Sequence, residues 1–161
     1  KGEALSPTIH RLTTMVALAT KAVRVSLLST HLDSRRAKIL AANDLKEGAS
    51  LQLDLNKYPE VLWVLNSKKL LVLENLTNDP VMRRIVEQNK TISFNSMVIA
   101  PVFAGSQLIG VLSCRMPESK QSFSESELRF IQLSASTLSL LLSAKSKDAA
   151  ELLTFTDSVA A

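Results

Sequence analysis

The sequence predicts an α+β domain organised around antiparallel strands, and three observations carry that prediction. First, two apolar runs, residues 96–103 and 107–114, flank a tight Ala104-Gly105-Ser106 turn. Gly105 at the first central position of a two-residue loop suits a type II′ hairpin turn. That turn sets Phe103 opposite Leu108, Pro101 opposite Gly110, Ile99 opposite Leu112 and Met97 opposite Cys114. Val98, Ala100 and Val102 then stand against Ile109, Val111 and Ser113 on the other face. Both faces are apolar, so both must be covered. Second, Ser124-Glu125-Ser126-Glu127 is a capping box, with Phe123 and Leu128 placed as its hydrophobic staple. Third, segments of helical period and segments of strand period are interspersed along the chain.

Ser6 reads as an N-cap and Pro7 as the first helical residue. Ile9, Leu12, Val16 and Ala19 follow at helical spacing, with Met15, Leu18 and Ala22 as a second stripe. Val23, Val25 and Leu27 alternate with Arg24 and Ser26, the pattern of a strand. His31-Leu32-Asp33-Ser34 makes a turn into a second strand over residues 36–42, where Ala37, Ile39 and Ala41 alternate. Residues 43–56 contain Gly48 and no clear period, and read as a loop. Tyr58-Pro59-Glu60 opens a short helix to about Asn66, burying Val61, Leu62 and Leu65. A short strand covers residues 69–73. Asp79-Pro80 is a further N-cap with Pro behind it, opening a helix through Gln88 that buries Met82, Ile85 and Val86. After the hairpin, the capped helix runs to about Lys145. It has two apolar stripes: Leu128, Ile131, Ala135, Leu138 and Leu142, and Phe130, Leu133, Thr137, Leu141 and Ala144. One stripe covers the sheet and the other needs a different partner. The expectation is a homodimer through the terminal helices, with Ile9, Leu12, Val16, Leu128, Ile131, Leu138 and Leu142 at its interface.

Bulk composition narrows the function classes. A chain of 161 residues fits one domain, able to bury roughly 70% of its unfolded surface. It is 46% hydrophobic and only 4% aromatic, so Leu, Val, Ile and Ala fill the core. One cysteine excludes an internal disulfide and suits a reducing, cytoplasmic setting. No apolar run reaches the roughly 18 residues that span a bilayer. Lys1 in place of Met points to a segment of a longer protein, whose membrane attachment elsewhere stays open. The net charge of +4 raises the question of nucleic acid. Its basic residues come in scattered pairs (Arg35-Arg36, Lys68-Lys69, Arg83-Arg84) among interleaved acids, the pattern of a solvated surface rather than a phosphate-tracking face.

Taken in order, 58–61 (Tyr-Pro-Glu-Val), 69–76, 78–80 (Asn-Asp-Pro), 96–102, 108–112 and 123–128 resemble the GAF domain, the ligand-sensing fold of many signalling proteins. The resemblance covers residues 6–143. It implies terminal helices packed on one face of a central antiparallel sheet, with middle helices and loops on the other, enclosing a small-molecule pocket. It also implies a sensor domain over residues 1–145, and a linker or signalling helix over 146–161 leading to an output domain of a bacterial signalling protein. The chain departs from three subclasses. In cyclic-nucleotide-binding members an Asn-Lys, a Phe and an acidic pair recur. Here Phe94 follows Asn89-Lys90 too soon, and Val98-Ile99 stand where the acids belong. Bilin-binding members attach chromophore through a cysteine beside the pocket, whereas Cys114 sits mid-strand as core filler. Free-methionine-sulfoxide reductases of this fold need several cysteines.

No residues assemble into a catalytic, metal or cofactor signature. His10 and His31 lack ligand-spaced partners and are read as structural or surface residues. The glycines are isolated, and no serine sits in a nucleophile elbow. Gly110 in mid-strand signals a bulge or a close backbone approach. Tyr58 and Trp63 join an apolar body to a polar tip, as pocket-lining residues do, though core packing accounts equally for Trp63. The resemblance adds Met82, Phe94, Asn75, Arg83, Asn95 and Ser96 as ligand contacts, with a solvated helix face as the other reading of Arg83. The expected activity is ligand sensing without catalysis and without a resident cofactor. The alternative is a ligand-free dimerisation or spacer module whose pocket is filled by Trp63, Met82, Ile85, Phe94 and Met97.

Overall fold

The structure, a computed structural model, describes residues 5–76, 78–80, 82–83, 87, 94–143 and 153–154, with only the backbone of Phe94 and Asn95. Helix α1 (Leu5–Thr20) leads into strands β1 (Arg24–His31), β2 (Arg36–Ala42) and β3 (Leu51–Asp54). A 3-10 turn (Leu55–Lys57) feeds helix α2 (Pro59–Ser67) and strand β4 (Leu71–Leu73). Strands β5 (Phe94–Ala104) and β6 (Gln107–Pro117) form the long hairpin, and helix α3 (Glu125–Ser143) follows. The six strands make one antiparallel sheet in the order β3-β2-β1-β6-β5-β4.

Two apolar clusters lie on opposite faces of this sheet. On one, Ile9, Val16, Ala17, Ile131, Leu138 and Leu142 of α1 and α3 meet Val25, Leu27, Val98, Leu112, Cys114 and Met116. On the other, Val61, Val64 and Leu65 of α2 meet Leu28, Ile39, Met97, Ile99 and Val111. The expected α+β architecture is therefore present, with its terminal helices on one face and α2 on the other.

Packing rather than propensity holds α3. Ser134, Ser136, Thr137, Ser139 and Ser143 each donate to the carbonyl four residues earlier, a bond that slightly weakens a helix. Burial of Ile131, Leu138 and Leu142 offsets this by about 1.5–3 kcal/mol each. The capping box forms as expected, with Glu127 N donating to Ser124 Oγ at 3.1 Å, and Lys120 Nζ reaching Glu127 Oε2 at 2.7 Å.

Several expectations need correction. Helix α1 already includes Leu5 and Ser6, so Ser6 is not its N-cap. Part of the expected loop at 43–56 is β3, an edge strand too short for its alternation to stand out in sequence. The hairpin register holds only at its tip, where Phe103 faces Leu108. Ile109 is an extra residue on β6, so Val102 faces Gly110, Ile99 faces Ser113, and Met97 faces Arg115. Phe103 N donates to Ser139 Oγ at 3.1 Å, tying β5 to α3 beyond the reach of β4. A second bulge at Leu40 switches the alternation of β2, sending Ala41 to the face opposite Ala37 and Ile39.

The residues expected at a dimer interface are taken up within the chain itself. Ile9, Val16, Ile131, Leu138 and Leu142 are buried within the chain's own core, and Leu12 and Leu128 pack partly against it. Met15, Leu18, Phe130, Leu133 and Leu140 face outward instead. Both stripes are apolar, so only docking against the sheet distinguishes them. The end of the expected last helix beyond Ser143, the linker at 146–161 apart from Leu153 and Thr154, and most of the helix through Gln88 lie outside the described residues. Pro80, Met82, Arg83 and Glu87 are helical, and Asp79 caps them by accepting from Met82 N at 3.0 Å.

Two positions make sharp tests. A Cβ at Gly110 would overlap the Leu28 carbonyl oxygen of the paired strand β1. Gly110→Ala is expected to cost about 3 kcal/mol in urea unfolding, and a neutral result would contradict this strand pairing. Burial pushes the Cys114 thiol up to about 12. Iodoacetamide is expected to label it only in denaturant, whereas rapid labelling of the native chain would place it at the surface.

Candidate functional site

On the face covered by α2, two adjoining cavities share one carboxyl group, and a third, ≈ 260 Å³, lies at Thr30, Leu32, Leu65, Lys68 and Gln107. The larger of the adjoining pair, ≈ 170 Å³, is lined by Pro59, Glu60, Trp63, Leu71, Leu73, Asp79 and Met82. Trp63 stands at its rim, 47% exposed, and Met82 is buried in its wall. The second, ≈ 100 Å³, lies over β1 and β6. Its floor carries Arg24, Ser26, Ser113 and Arg115, and its roof is Tyr58, Glu60 and Val61 at the start of α2. Leu28, Ile39, Leu51 and Leu53 complete the apolar side. Both volumes fall below the roughly 300 Å³ at which pockets for drug-sized ligands begin.

Local sequence explains the placement. Pro59 follows Tyr58 at the first position of α2 and starts the helix directly above the sheet. Glu60 lands in the first turn, where the helix dipole favours a carboxylate, yet it is only 7% exposed. Burial raises its pKa above the ordinary carboxylate value, against the lowering effects of its own backbone N–H and of Arg115. Burial also disfavours the Arg115 charge, with Glu60 opposing that effect. The guanidinium nonetheless remains protonated at any pH the fold survives. Arg24 and Arg115 are direct cross-strand partners, as are Ser26 and Ser113 one rung along on the same face. Arg24 Nε lies 3.0 Å from Asp44 Oδ1 but off hydrogen-bond alignment.

The sequence-predicted contacts divide clearly. Tyr58 lines the smaller cavity, and Trp63 and Met82 line the larger. Asn75 sits in the turn after β4, where its carbonyl accepts from Asn78 N at 3.1 Å, and Arg83 is exposed. Neither is among the residues lining the cavities described here. Ser96 belongs to the opposite side of the sheet, with Val98 and Ala100, and donates to the Lys120 carbonyl at 2.8 Å. The side chains of Phe94 and Asn95 lie outside the described residues. His10 Nε2 bonds the Leu45 carbonyl at 3.0 Å, and His31 Nδ1 closes its turn on Ser34 Oγ at 2.8 Å. Among the described residues, no cluster of His, Cys, Asp and Glu could hold a metal, and no helix is long and apolar enough to cross a membrane.

Sequence reading missed Arg24, Ser26, Glu60, Ser113 and Arg115. The available signal was that the hairpin is covered on both faces. A polar residue on β6, or on a strand paired beside it, must then point into an enclosed space rather than into water.

The raised Glu60 pKa has a definite consequence for stability. The folded chain holds this proton more tightly than the unfolded chain. Its stabilising effect is complete below about pH 4.5 and is lost as pH rises through the folded value. In urea melts, Glu60→Gln should therefore gain stability relative to the parent as pH rises from about 4.5 through the folded value. A pH-independent difference would show that Glu60 is not buried in this way.

The GAF domain profile matches residues 4–142. No curated protein sequence matches the chain significantly. Among solved structures, the fold is similar to the GAF domain of an Acinetobacter phosphoenolpyruvate-protein phosphotransferase, at TM-score 0.69 and 22% identity over 88% of this chain and 83% of that one. It is also similar to a phycocyanobilin-bound GAF domain of a cyanobacterial phytochrome, at TM-score 0.68 and 20% identity over 86% and 84%. A methyl-accepting chemotaxis protein fragment aligns at TM-score 0.67 and 17% identity over 86% and 88%. Given this profile match, and a sheet with terminal helices on one face and a cavity-bearing helix on the other, the chain belongs to the GAF domain family, a class of sensory and regulatory modules found in signalling proteins.

Proposed function

We propose that this domain senses a small molecule held between the sheet and α2, without catalysing a reaction, and passes occupancy to an output domain of a bacterial signalling protein. The observation that carries the reading is the polar end of the smaller cavity. Burying charged groups costs several kcal/mol per ion, and a helix serving only to cover a sheet is better made apolar throughout. Arg24, Glu60 and Arg115 together with Ser26 and Ser113, beside an apolar end, suit recognition of a polar ligand. The cavity volumes argue against a bilin or a nucleotide as the occupant.

In this reading the two faces of the sheet are coupled through its strands. β1 and β6 contribute Arg24 and Arg115 to the cavity, while alternate residues Val25 and Cys114 pack beneath α1 and α3. A ligand that favours one arrangement of these strands by about 1–3 kcal/mol would shift the terminal helices by the same amount. A second copy of the chain would dock on the outward stripe that includes Met15, Leu18, Leu133 and Leu140.

Native mass spectrometry beside a denaturing control tests this reading, followed by hydrogen exchange on any ligand-bearing species. The expected result is a dimer carrying a small adduct, whose removal changes exchange in α1 and α3. A bare dimer that no small-molecule library stabilises would favour the ligand-free spacer, consistent with Met82 and Met97 filling part of this face. A ligand whose binding leaves exchange in both helices unchanged would refute the coupling.

A further inference from the structure

We propose that the smaller cavity takes a short-chain carboxylate, its head group held between the Arg24 and Arg115 guanidiniums and its hydrocarbon tail against Leu28, Ile39 and Val61. This assignment rests on the sensing role and names the chemical class of the ligand.

Charge balance comes first. The cavity lining holds two guanidiniums and one carboxyl group. Burial favours protonated Glu60, and with it neutral the two guanidiniums outnumber by one the Asp44 carboxylate that acts on both of them, a surplus that one monoanion neutralises. Asp44 supplies only part of the counter-charge. It meets Arg24 from outside the lining, and its side chain is 46% exposed, so water screens the pair. Geometry points the same way. Arg24 and Arg115 face each other across the β1–β6 ladder, where like charges are unfavourable. An anion shared between them turns that repulsion into two charge-assisted contacts, and the guanidinium fork matches the two oxygens of a carboxylate. The Ser26 and Ser113 hydroxyls on the next rung provide further donors to the same head group.

Size and polarity limit the remainder of the ligand. A volume of ≈ 100 Å³ has room for about seven to ten water-sized atoms. Leu28 and Ile39 continue the floor beyond Ser26, with Val61 above in the roof, an apolar end that suits a short hydrocarbon tail and leaves a fully hydrated anion such as inorganic phosphate poorly matched.

The test titrates the full chain with butyrate, with its uncharged isostere butyramide, and with inorganic phosphate. Binding is followed by calorimetry and by the Arg side-chain and Ser113 amide NMR signals. Butyrate is expected to shift the Arg24, Arg115 and Ser113 signals saturably, with butyramide at least about tenfold weaker. Arg24→Gln should weaken butyrate about tenfold or more, with Arg24→Lys intermediate. Val61→Phe, which fills the cavity and leaves every charge in place, should abolish binding. Equal binding of butyrate and butyramide, preferential binding of phosphate, or no shift up to about 10 mM butyrate would overturn the assignment. If butyrate fails while native mass spectrometry retains another adduct that changes α1 and α3 exchange, the carboxylate assignment falls and the sensing role stands. If neither is seen, both fall.

Discussion

Everything in this fold follows from a sheet whose central strands are covered on both faces. β1, β6 and β5 lie in the middle of the order β3-β2-β1-β6-β5-β4, with α1 and α3 on one side and α2 on the other. A strand in that position has no solvent side, so each of its side chains joins one apolar cluster or the other unless another polar group meets it. Val25, Leu27, Leu112 and Cys114 follow the first course on the terminal-helix face, and Leu28 and Val111 do so on the opposite face. Arg24, Ser26, Ser113 and Arg115 follow the second.

The position of those four polar residues is what makes one end of the α2 face distinct. Glu60 descends from the first turn of α2 toward Arg115, and the two groups moderate each other's desolvation without removing it. Apolar side chains of similar volume would cover the same area with less penalty. In the proposed sensing role, recognition of a polar ligand accounts for an acid and two bases next to a cavity. Glu60 also borders the larger cavity, so a change in its charge or position is felt in both.

In the proposed sensing role, the same two-sided arrangement is the physical route for transmitting a change. Neighbouring residues of one strand point to opposite faces, so a displacement of the backbone at Arg24 or Arg115 moves Val25 and Cys114 beneath α1 and α3. The link is short and stiff. Gly110 lets β6 approach the Leu28 carbonyl, and Phe103 N donates to Ser139 of α3. Close-packed contacts of this kind shift as a unit rather than deform gradually.

Local patterns by themselves determined the element types. The capping box at Ser124, the proline starts of α2 and of the helical turn at Asp79, the glycine turn at Gly105 and the close approach at Gly110 are each decided by short-range chemistry. The ordered set of these elements was enough to suggest the family. Tertiary structure alone decided which residues share a space. One extra residue at Ile109 moved Ser113 and Arg115 opposite Ile99 and Met97, a change no alternation pattern reveals because both registers are apolar on both faces. Burial of Ile9 and Ile131, and exposure of Met15 and Leu133, likewise depended on how two double-striped helices docked. The site followed the same logic. Tyr58, Trp63 and Met82 were legible because their chemistry suits a pocket wall, whereas Arg24, Glu60 and Arg115 look like ordinary surface charges until the sheet and α2 close over them.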